Sequence, residues 1–384
     1  MSDLNDEQRM IQDSARTFAM KEVLPVANEL DPREGEIPDD LRRKLAEMGY
    51  FGITIPEEYG GLGLGALEYC LVTEELARAW MSVGSIIRPM MGYSLLSEEQ
   101  KAKYLPKMAS GEMIFAFAMS EPGTGSDISG LSTRAERDGD DYLISGNKYW
   151  CTNAKAADAI LVLARTQPKS ENSKPHHGIS ALILEKEAGN FPEGLQGAPI
   201  PKIGYFGWKT WELAFDRVRV PAANMVGEEG RGFYLATQSL EIARAHTAAR
   251  SIGLARGALE DAISYVGERV QFGRPIGEFQ ALRFKIAEMA TEVEAARQLM
   301  YSVCRKIDTG VRCDAEASMV KLYASEIAER VTSEALQMHG GAGYTTHFAV
   351  ERHWRDARLT KIFEGTSEIQ KKIISDKILG RVTT

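Results

Sequence analysis

The sequence predicts a segregated α+β fold: helices first, a β-rich middle, then a long helical bundle. The order of periodicities is the first reason. Runs of helical period give way to short β-rich runs cut by turns, and the helical period then returns without any βαβ alternation. The second is that the character changes near Met113 and again near Gly227. The third is size, since 384 residues exceed the roughly 250–300 that one core usually holds. On these grounds the chain divides into a helical domain at 1–112, a β-domain at 113–227 and a helical bundle domain at 228–384.

Asp6-Glu7-Gln8 opens an amphipathic helix that runs through Phe18 and Val23 and is expected to end near Pro25. Pro38-Asp39-Asp40 caps a second helix, carrying Leu41, Leu45 and Met48. Residues 67–79 and 98–108 are a third and a fourth. In the middle part, strands are expected at 114–119, 141–144, 159–163, 179–184 and 211–215, with Asp138-Gly139 as hairpin turn chemistry. Their spacing suggests a small antiparallel barrel or sandwich, and 166–177 a long exposed loop. Ala-, Glu-, Leu- and Arg-rich stretches at 235–265, 279–308 and 312–339 supply the bundle.

Composition excludes several function classes. Hydrophobic residues at 44% and charged residues at 26% describe an ordinary globular chain. A net charge of −8 leaves no basic footprint for nucleic acid. The four cysteines form no CxxC pair, so neither a disulfide frame nor a zinc site is expected, and the six histidines make no metal case. No run approaches the ~20 apolar residues of a membrane span. The acidic start Met-Ser-Asp-Leu-Asn-Asp-Glu has no targeting character, so a cytoplasmic protein is expected, with a mature mitochondrial matrix form left open.

Gly61-Leu62-Gly63-Leu64-Gly65-Ala66 fits the dinucleotide fingerprint GxGxx(G/A). That motif needs a preceding strand and a second parallel strand. Phe51–Ile55 could be the first, but helices follow and no second strand does, so a turn between helices is expected.

Three segments carry chemistry. Glu364, in Phe363-Glu364-Gly365-Thr366-Ser367-Glu368, precedes the last helix, with Ser367 and Gln370 at capping-box spacing. A carboxylate held beside exposed backbone N–H groups can act as a base. Ser120-Glu121-Pro122-Gly123-Thr124-Gly125-Ser126-Asp127 follows a strand and would let backbone approach a phosphate or polar ring. Gln337-Met338-His339-Gly340-Gly341-Ala342-Gly343 ends a long helix in a glycine cluster.

In this order, and with Pro56-Glu57-Glu58-Tyr59-Gly60-Gly61, Gly146-Asn147-Lys148-Tyr149-Trp150-Cys151-Thr152-Asn153, Val218-Arg219-Val220-Pro221, Gly227-Glu228-Glu229-Gly230 and Arg269-Val270-Gln271-Phe272-Gly273-Arg274-Pro275-Ile276, the chain resembles the acyl-CoA dehydrogenase family over essentially its whole length. The resemblance implies a four-helix bundle at the C-terminus, FAD between it and the β-domain, a homotetramer, and electron transfer flavoprotein as electron acceptor. It implies Phe117, Met119, Ser120, Gly125 and Ser126 along the flavin and thioester, and Trp150, Cys151 and Thr152 against the flavin. Thr366 and Glu368 would reach the same cofactor, while Arg269, Gln271, Phe272, Gln337, Gly340 and Gly341 would hold the FAD of a neighbouring subunit.

Glu364 matches the family's base, which abstracts the α-proton of an acyl-CoA while flavin N5 accepts the β-hydride. The Glu364 N–H and a ribityl hydroxyl would hold the thioester oxygen. Some members carry the base on a bundle helix, but the matching residue here is Ala243. Glu241, where Asp is commoner, would contact CoA, Arg244 would support the active-site loop, and Gly365 would line the substrate. His347 and Ala349 depart from the family pattern, with local packing consequences.

Arg88 is the unusual residue, a cation in the apolar segment Gly84-Ser85-Ile86-Ile87-Arg88-Pro89-Met90-Met91 that borders the acyl pocket in the family. It either pairs with an acid or solvent, or receives an anion on the acyl chain. The substrate is thus expected among short, branched, cyclic or acid-bearing acyl-CoAs. Altered chemistry on the same fold (a decarboxylating dehydrogenase, an oxidase or a desulfinase) and a silent flavin-binding protein are the alternatives.

Overall fold

The computed structural model describes residues 4–168 and 174–380, so part of the expected 166–177 loop lies outside the described residues. Helix α1 (Asp6–Phe18) starts on a reciprocal cap, Gln8 N–H donating to Asn5 Oδ1 at 2.8 Å and Asn5 N–H to Gln8 Oε1 at 3.1 Å. The helix does not end at Pro25. A π-helical turn at Ala19–Val23 leads into α2 (Leu24–Leu30), which has the proline in its first turn. A proline there is tolerated, because the N–H it lacks belongs to the first turn of a new segment. Then come α3 (Asp39–Glu47), α4 (Ala66–Ala79), α5 (Met81–Ile86) and α6 (Glu98–Ala109).

Phe51–Ile55 is not a strand: Tyr50–Gly52 is a 3-10 turn, and the Gly61–Ala66 run is a turn into α4. A Cβ on Gly61 would lie 2.0 Å from Ile55 O, so this glycine serves a close chain crossing.

The middle part is a seven-stranded sheet ordered β1-β4-β2-β3-β7-β6, with β5 on β4. The strands are β1 (Phe115–Ala118), β2 (Arg134–Asp138), β3 (Asp141–Thr152), β4 (Ala159–Arg165), β5 (Ile179–Glu185), β6 (Leu195–Pro199) and β7 (Thr210–Pro221). Asp138 pairs with Asp141 across the expected two-residue turn. The sheet is mixed rather than wholly antiparallel, because β1 runs parallel to β4 after the β2–β3 hairpin intervenes. Strands β2 and β6 have no apolar run to announce them and only one buried residue each.

The C-terminal part holds α7 (Gly232–Gln238), α8 (Leu240–Glu268), the small hairpin β8 (Val270–Gln271) and β9 (Arg274–Pro275), α9 (Gln280–Asp308), α10 (Asp314–His339), α11 (Val350–Thr360) and α12 (Ser367–Leu379). The first helices and the bundle share one apolar core, in which Leu67, Leu71 and Leu76 of α4 join Ala248 and Ile252 of α8 and Val320 of α10. Every α4 residue except Glu68 is buried. Among them are Glu74 and Glu75, met by Arg297 of α9 and Arg256 of α8. Among the described residues no helix is long and apolar enough to cross a membrane, and no group of His, Cys, Asp and Glu could hold a metal ion.

Candidate active site

The turn before α12 is built around Glu364. The N-cap of α12 is Thr366, whose Oγ1 accepts from Ile369 N–H at 3.4 Å, one residue earlier than the expected Ser367. Ser367 instead donates through Oγ to Glu326 Oε1 at 2.7 Å. Gln370 Nε2 donates to the carbonyls of Glu364 at 3.1 Å and Gly365 at 2.9 Å, and Lys321 Nζ of α10 donates to Gly365 O at 2.7 Å. These bonds hold two consecutive left-handed residues, Glu364 at φ 53° and Gly365 at φ 87°. For a non-glycine residue that conformation costs on the order of 1–3 kcal/mol and persists only where the surroundings over-determine it. Such strain concentrates at functional sites.

The Glu364 carboxylate is largely buried and accepts from Arg88 Nη1. The Arg88 side chain retains 31% exposure. Burial opposes its charge, but Glu364, followed by Tyr69 and Tyr205, leaves the guanidinium pKa above its ordinary value. Buried Arg250 donates to Ser85 Oγ and Thr247 Oγ1, both at 2.9 Å, and lies 4.5 Å over the Phe363 ring. Lys321 is pushed down to about 8 by burial, against the pull of Glu364. Buried Arg244 faces Asp314 at 3.8 Å, and its Nε and Nη1 have no hydrogen-bond partner among the described residues. Ala243 is buried beside it.

Arg250, Lys321 and Tyr69 were not singled out in the sequence. The signal for Arg250 was a charge on the apolar stripe of α8, one turn from Thr247. Glu241 is brought elsewhere: its Oε1 accepts Cys313 N–H at 2.7 Å at the start of α10, so that oxygen is engaged by protein.

The second group lies along β1 and β3. Alternation buries Ala116 and Ala118 and leaves Phe117 and then Met119 and Ser120 half-buried. The following loop is stapled from beneath. Glu121 accepts from Ser132 N–H and Thr133 N–H, both at 2.8 Å, from Ser132 Oγ at 2.6 Å and from buried Lys148 Nζ at 3.1 Å. Lys148 also donates to Met119 O at 3.0 Å. Beyond the staple, Gly125 and Ser126 are exposed, and a Cβ on Gly125 would meet no atom within 4 Å.

The staple makes a pH prediction. Lys148 and the hydroxyl and N–H donors overcome burial and hold Glu121 down at about 2, against an ordinary 4.5. The folded state therefore binds the Glu121 proton less readily than the unfolded chain. The stabilisation is fully present above pH 4.5 and is lost as pH falls towards about 2. Thermal unfolding of wild type and Glu121→Gln between pH 6 and 3 checks this. The stability gap between them is expected to narrow on acidification, and a constant gap would refute it.

On β3, Trp150 stands in the left-handed region at φ 63°, within the register shift between Lys148 and Cys151. Its indole is 56% exposed. Thr152 lies two residues on, its hydroxyl 3.3 Å from that of Thr210. Cys151 differs from expectation: its thiol points into the sheet core, and burial pushes it up to about 12. Trp150 is exposed and Thr152 half-buried, so at Cys151 it is the backbone and not the thiol that lies beside them.

The implied FAD fits these residues. An outward-turned indole suits a flat ring, and open glycine backbone suits phosphate. Glu368 is exposed at the first turn of α12. Arg269, Gln271, Phe272, Gln337, Gly340 and Gly341 are all exposed. Phe272, 93% exposed with φ 53°, tops the β8–β9 hairpin, and Gly340, at φ 58° and ψ −139°, ends α10.

Comparison with known proteins shows the family. The family models for the N-terminal, middle and C-terminal domains of acyl-CoA dehydrogenase match residues 5–112, 116–218 and 230–379. An acyl-CoA dehydrogenase of Bacillus subtilis (strain 168) is 42% identical over 385 residues, covering 98% of this chain and 99% of that protein. A (2S)-methylsuccinyl-CoA dehydrogenase of Cereibacter sphaeroides is 42% identical over 389 residues, covering 98% of this chain and 70% of that protein. The structure of butyryl-CoA dehydrogenase from Megasphaera elsdenii superposes with a TM-score of 0.92 at 37% identity, covering 99% and 100% of the two chains.

Proposed function

The chain belongs to the acyl-CoA dehydrogenase family of FAD-dependent oxidoreductases, and on that premise we propose that Glu364 takes the α-proton of an acyl-CoA thioester to give the 2-enoyl-CoA. FAD, when bound, supplies at flavin N5 the acceptor for the hydride from the β-carbon. A proton α to a thioester is a weak acid, so its base must be desolvated and fixed in direction. The single observation that carries the reading is the strained Glu364–Gly365 turn, which Gln370 and Lys321 hold with its carboxylate turned inward. The Glu364 N–H donates to no acceptor among the described residues. It is thus available to the thioester oxygen as negative charge develops there. Ala243 can take no proton, which leaves the α8 position without a base.

The supporting roles follow the same reading. Phe117, Met119, Ser120, Gly125, Ser126, Trp150, Thr152, Thr366 and Glu368 hold FAD and thioester; Arg244 steadies the loop, and Gly365 lines the substrate. The exposed Phe272 hairpin and the Gln337-Gly340-Gly341 end of α10 hold the FAD of a neighbouring subunit in a homotetramer. The acyl group is short, branched, cyclic or acid-bearing, and the Cereibacter relative, named for methylsuccinyl-CoA, supports the last of these. Electrons pass on to electron transfer flavoprotein. Anaerobic mixing of the yellow holoprotein with a panel of acyl-CoAs is expected to bleach the flavin with at least one member. Bleaching by none of them, with dithionite still reducing the flavin, would refute α,β-oxidation.

A further inference from the structure

Glu364 is the carboxylate that acts on both Arg88 and Arg250, so two guanidinium groups share one anion. Lys321 also faces this carboxylate, with Glu326 as a further anion, whereas Arg244 is set first against Asp314 and Glu241. Burying unbalanced charge is costly, and cations in such places ordinarily meet one anion each. Besides Glu364, the groups that act most on Arg88 bring no anion. Tyr69 and Tyr205 are neutral phenols, held so by burial. His246 is neutral as well: burial, then Arg250 and Arg88, lower its pKa well below the ordinary value.

A second observation stands apart from charge. The Tyr69 hydroxyl is buried and has no hydrogen-bond partner among the described residues, on a side chain only 2% exposed. Arg88 exerts the largest charge effect on it. A buried phenol left without a partner forfeits a hydrogen bond unless something else supplies the acceptor. An anion bound beside them could accept from both Arg88 and Tyr69.

The pairing also conflicts with the chemistry of the base. Arg88 meets the carboxylate at one oxygen, Oε1, and a cation held there opposes proton uptake at the other, so moving Arg88 away from Glu364 favours transfer of the α-proton. A plain alkyl chain offers Arg88 no anion in exchange for Glu364.

We propose that this enzyme acts on acyl-CoA thioesters whose acyl group carries its own distal carboxylate, and that Arg88 transfers from Glu364 to that carboxylate on binding, so that the substrate itself unlatches the base. The inference rests on Glu364 as the base. It goes beyond that reading by giving Arg88 two alternating partners and Tyr69 a ligand.

The test uses the holoenzyme and three acyl-CoA pairs, each a dicarboxylic monothioester of four, five or six carbons and the neutral monocarboxylic thioester of equal length. Wild type is expected to favour the acid-bearing member of at least one pair by roughly 100-fold or more in kcat/KM, as for a site built to bond a polar group. Arg88→Ala should bring that ratio close to one, and Arg88→Lys should restore part of it. Tyr69→Phe should lower the same ratio by roughly 10-fold. Binding is read separately, from the flavin spectral shift on titration with the acid-bearing enoyl-CoA products in Glu364→Gln. There Arg88→Ala should weaken binding of the acid-bearing product and not of the neutral one. A wild type that favours the neutral member of every pair, or a ratio unmoved by Arg88→Ala, would overturn the proposal. Turnover surviving in Glu364→Gln, with the Arg88-dependent binding difference intact, would overturn the base assignment alone.

Discussion

Glu364→Gln is expected to lower kcat by about 10⁴-fold or more while leaving the protein yellow. General-base catalysis is worth typically 10²–10⁴-fold, and here the replacement also substitutes a neutral amide for the one anion shared by Arg88 and Arg250. The change is nearly isosteric, and what fixes the turn does not involve the Glu364 side chain: Gln370 and Lys321 grip the Glu364 and Gly365 carbonyls. FAD content should therefore remain close to wild type. Anaerobic stopped-flow at 450 nm checks the prediction, because it reads flavin reduction without an external acceptor. Reduction within 10-fold of the wild-type rate would remove Glu364 from the role of base. Loss of the flavin would show that the turn depends on this side chain.

Glu74→Ala is expected to be the most destabilising single change outside the site, at about 3–5 kcal/mol, the usual cost of removing one partner from a buried ion pair. Glu74 is fully buried on α4 and accepts from Arg297 Nη2 at 2.9 Å and Nε at 3.1 Å, with Arg256 Nε at 3.5 Å. Arg297 and Arg256 outweigh burial and hold the Glu74 carboxyl below its ordinary range, whereas burial raises the adjacent Glu75 despite its own bonds to Arg256. Glu74 is the firmer anion of the two. Its removal strands Arg297 of α9 and weakens the hold on Arg256 of α8. The apparent melting temperature should fall by about 4–6 °C at neutral pH. A fall under 2 °C would mean that water replaces the carboxylate.

Much of the fold was legible because the helical and extended periods separate cleanly along the chain. The misreadings have local causes. Pro25 looked like a stop, yet the π turn at Ala19–Val23 lets the helix restart around it. Strand β2, Arg134–Asp138, is charged at four of its five positions, and it pairs with β3 through backbone that composition does not report. In the site, Glu364 was visible through its surrounding motif, and Arg88 because a cation in an apolar segment demands a partner. That the partner is Glu364 itself was not legible, since the two lie 276 residues apart and meet only through tertiary packing. Tyr69, Arg250 and Lys321 were hidden for a related reason. They sit on long helices whose buried faces admit a polar residue without changing the period. That the Cys151 thiol is buried in the sheet core was not legible either, because the register shift at Trp150 breaks the alternation of the strand.

The Glu364 turn is held by a short local set of bonds, from Gln370 just beyond it and from Lys321 on α10, whereas Arg88 approaches on the segment that follows α5. The bonds that fix the turn and the side chain that meets its carboxylate thus come from separate elements, joined at the Arg88–Glu364 contact. A lineage, or an engineer, could rewrite residues 84–91 to change which thioester is accepted while the deprotonating turn is inherited intact. Substrate range in such an architecture can drift quickly while the reaction type stays the same.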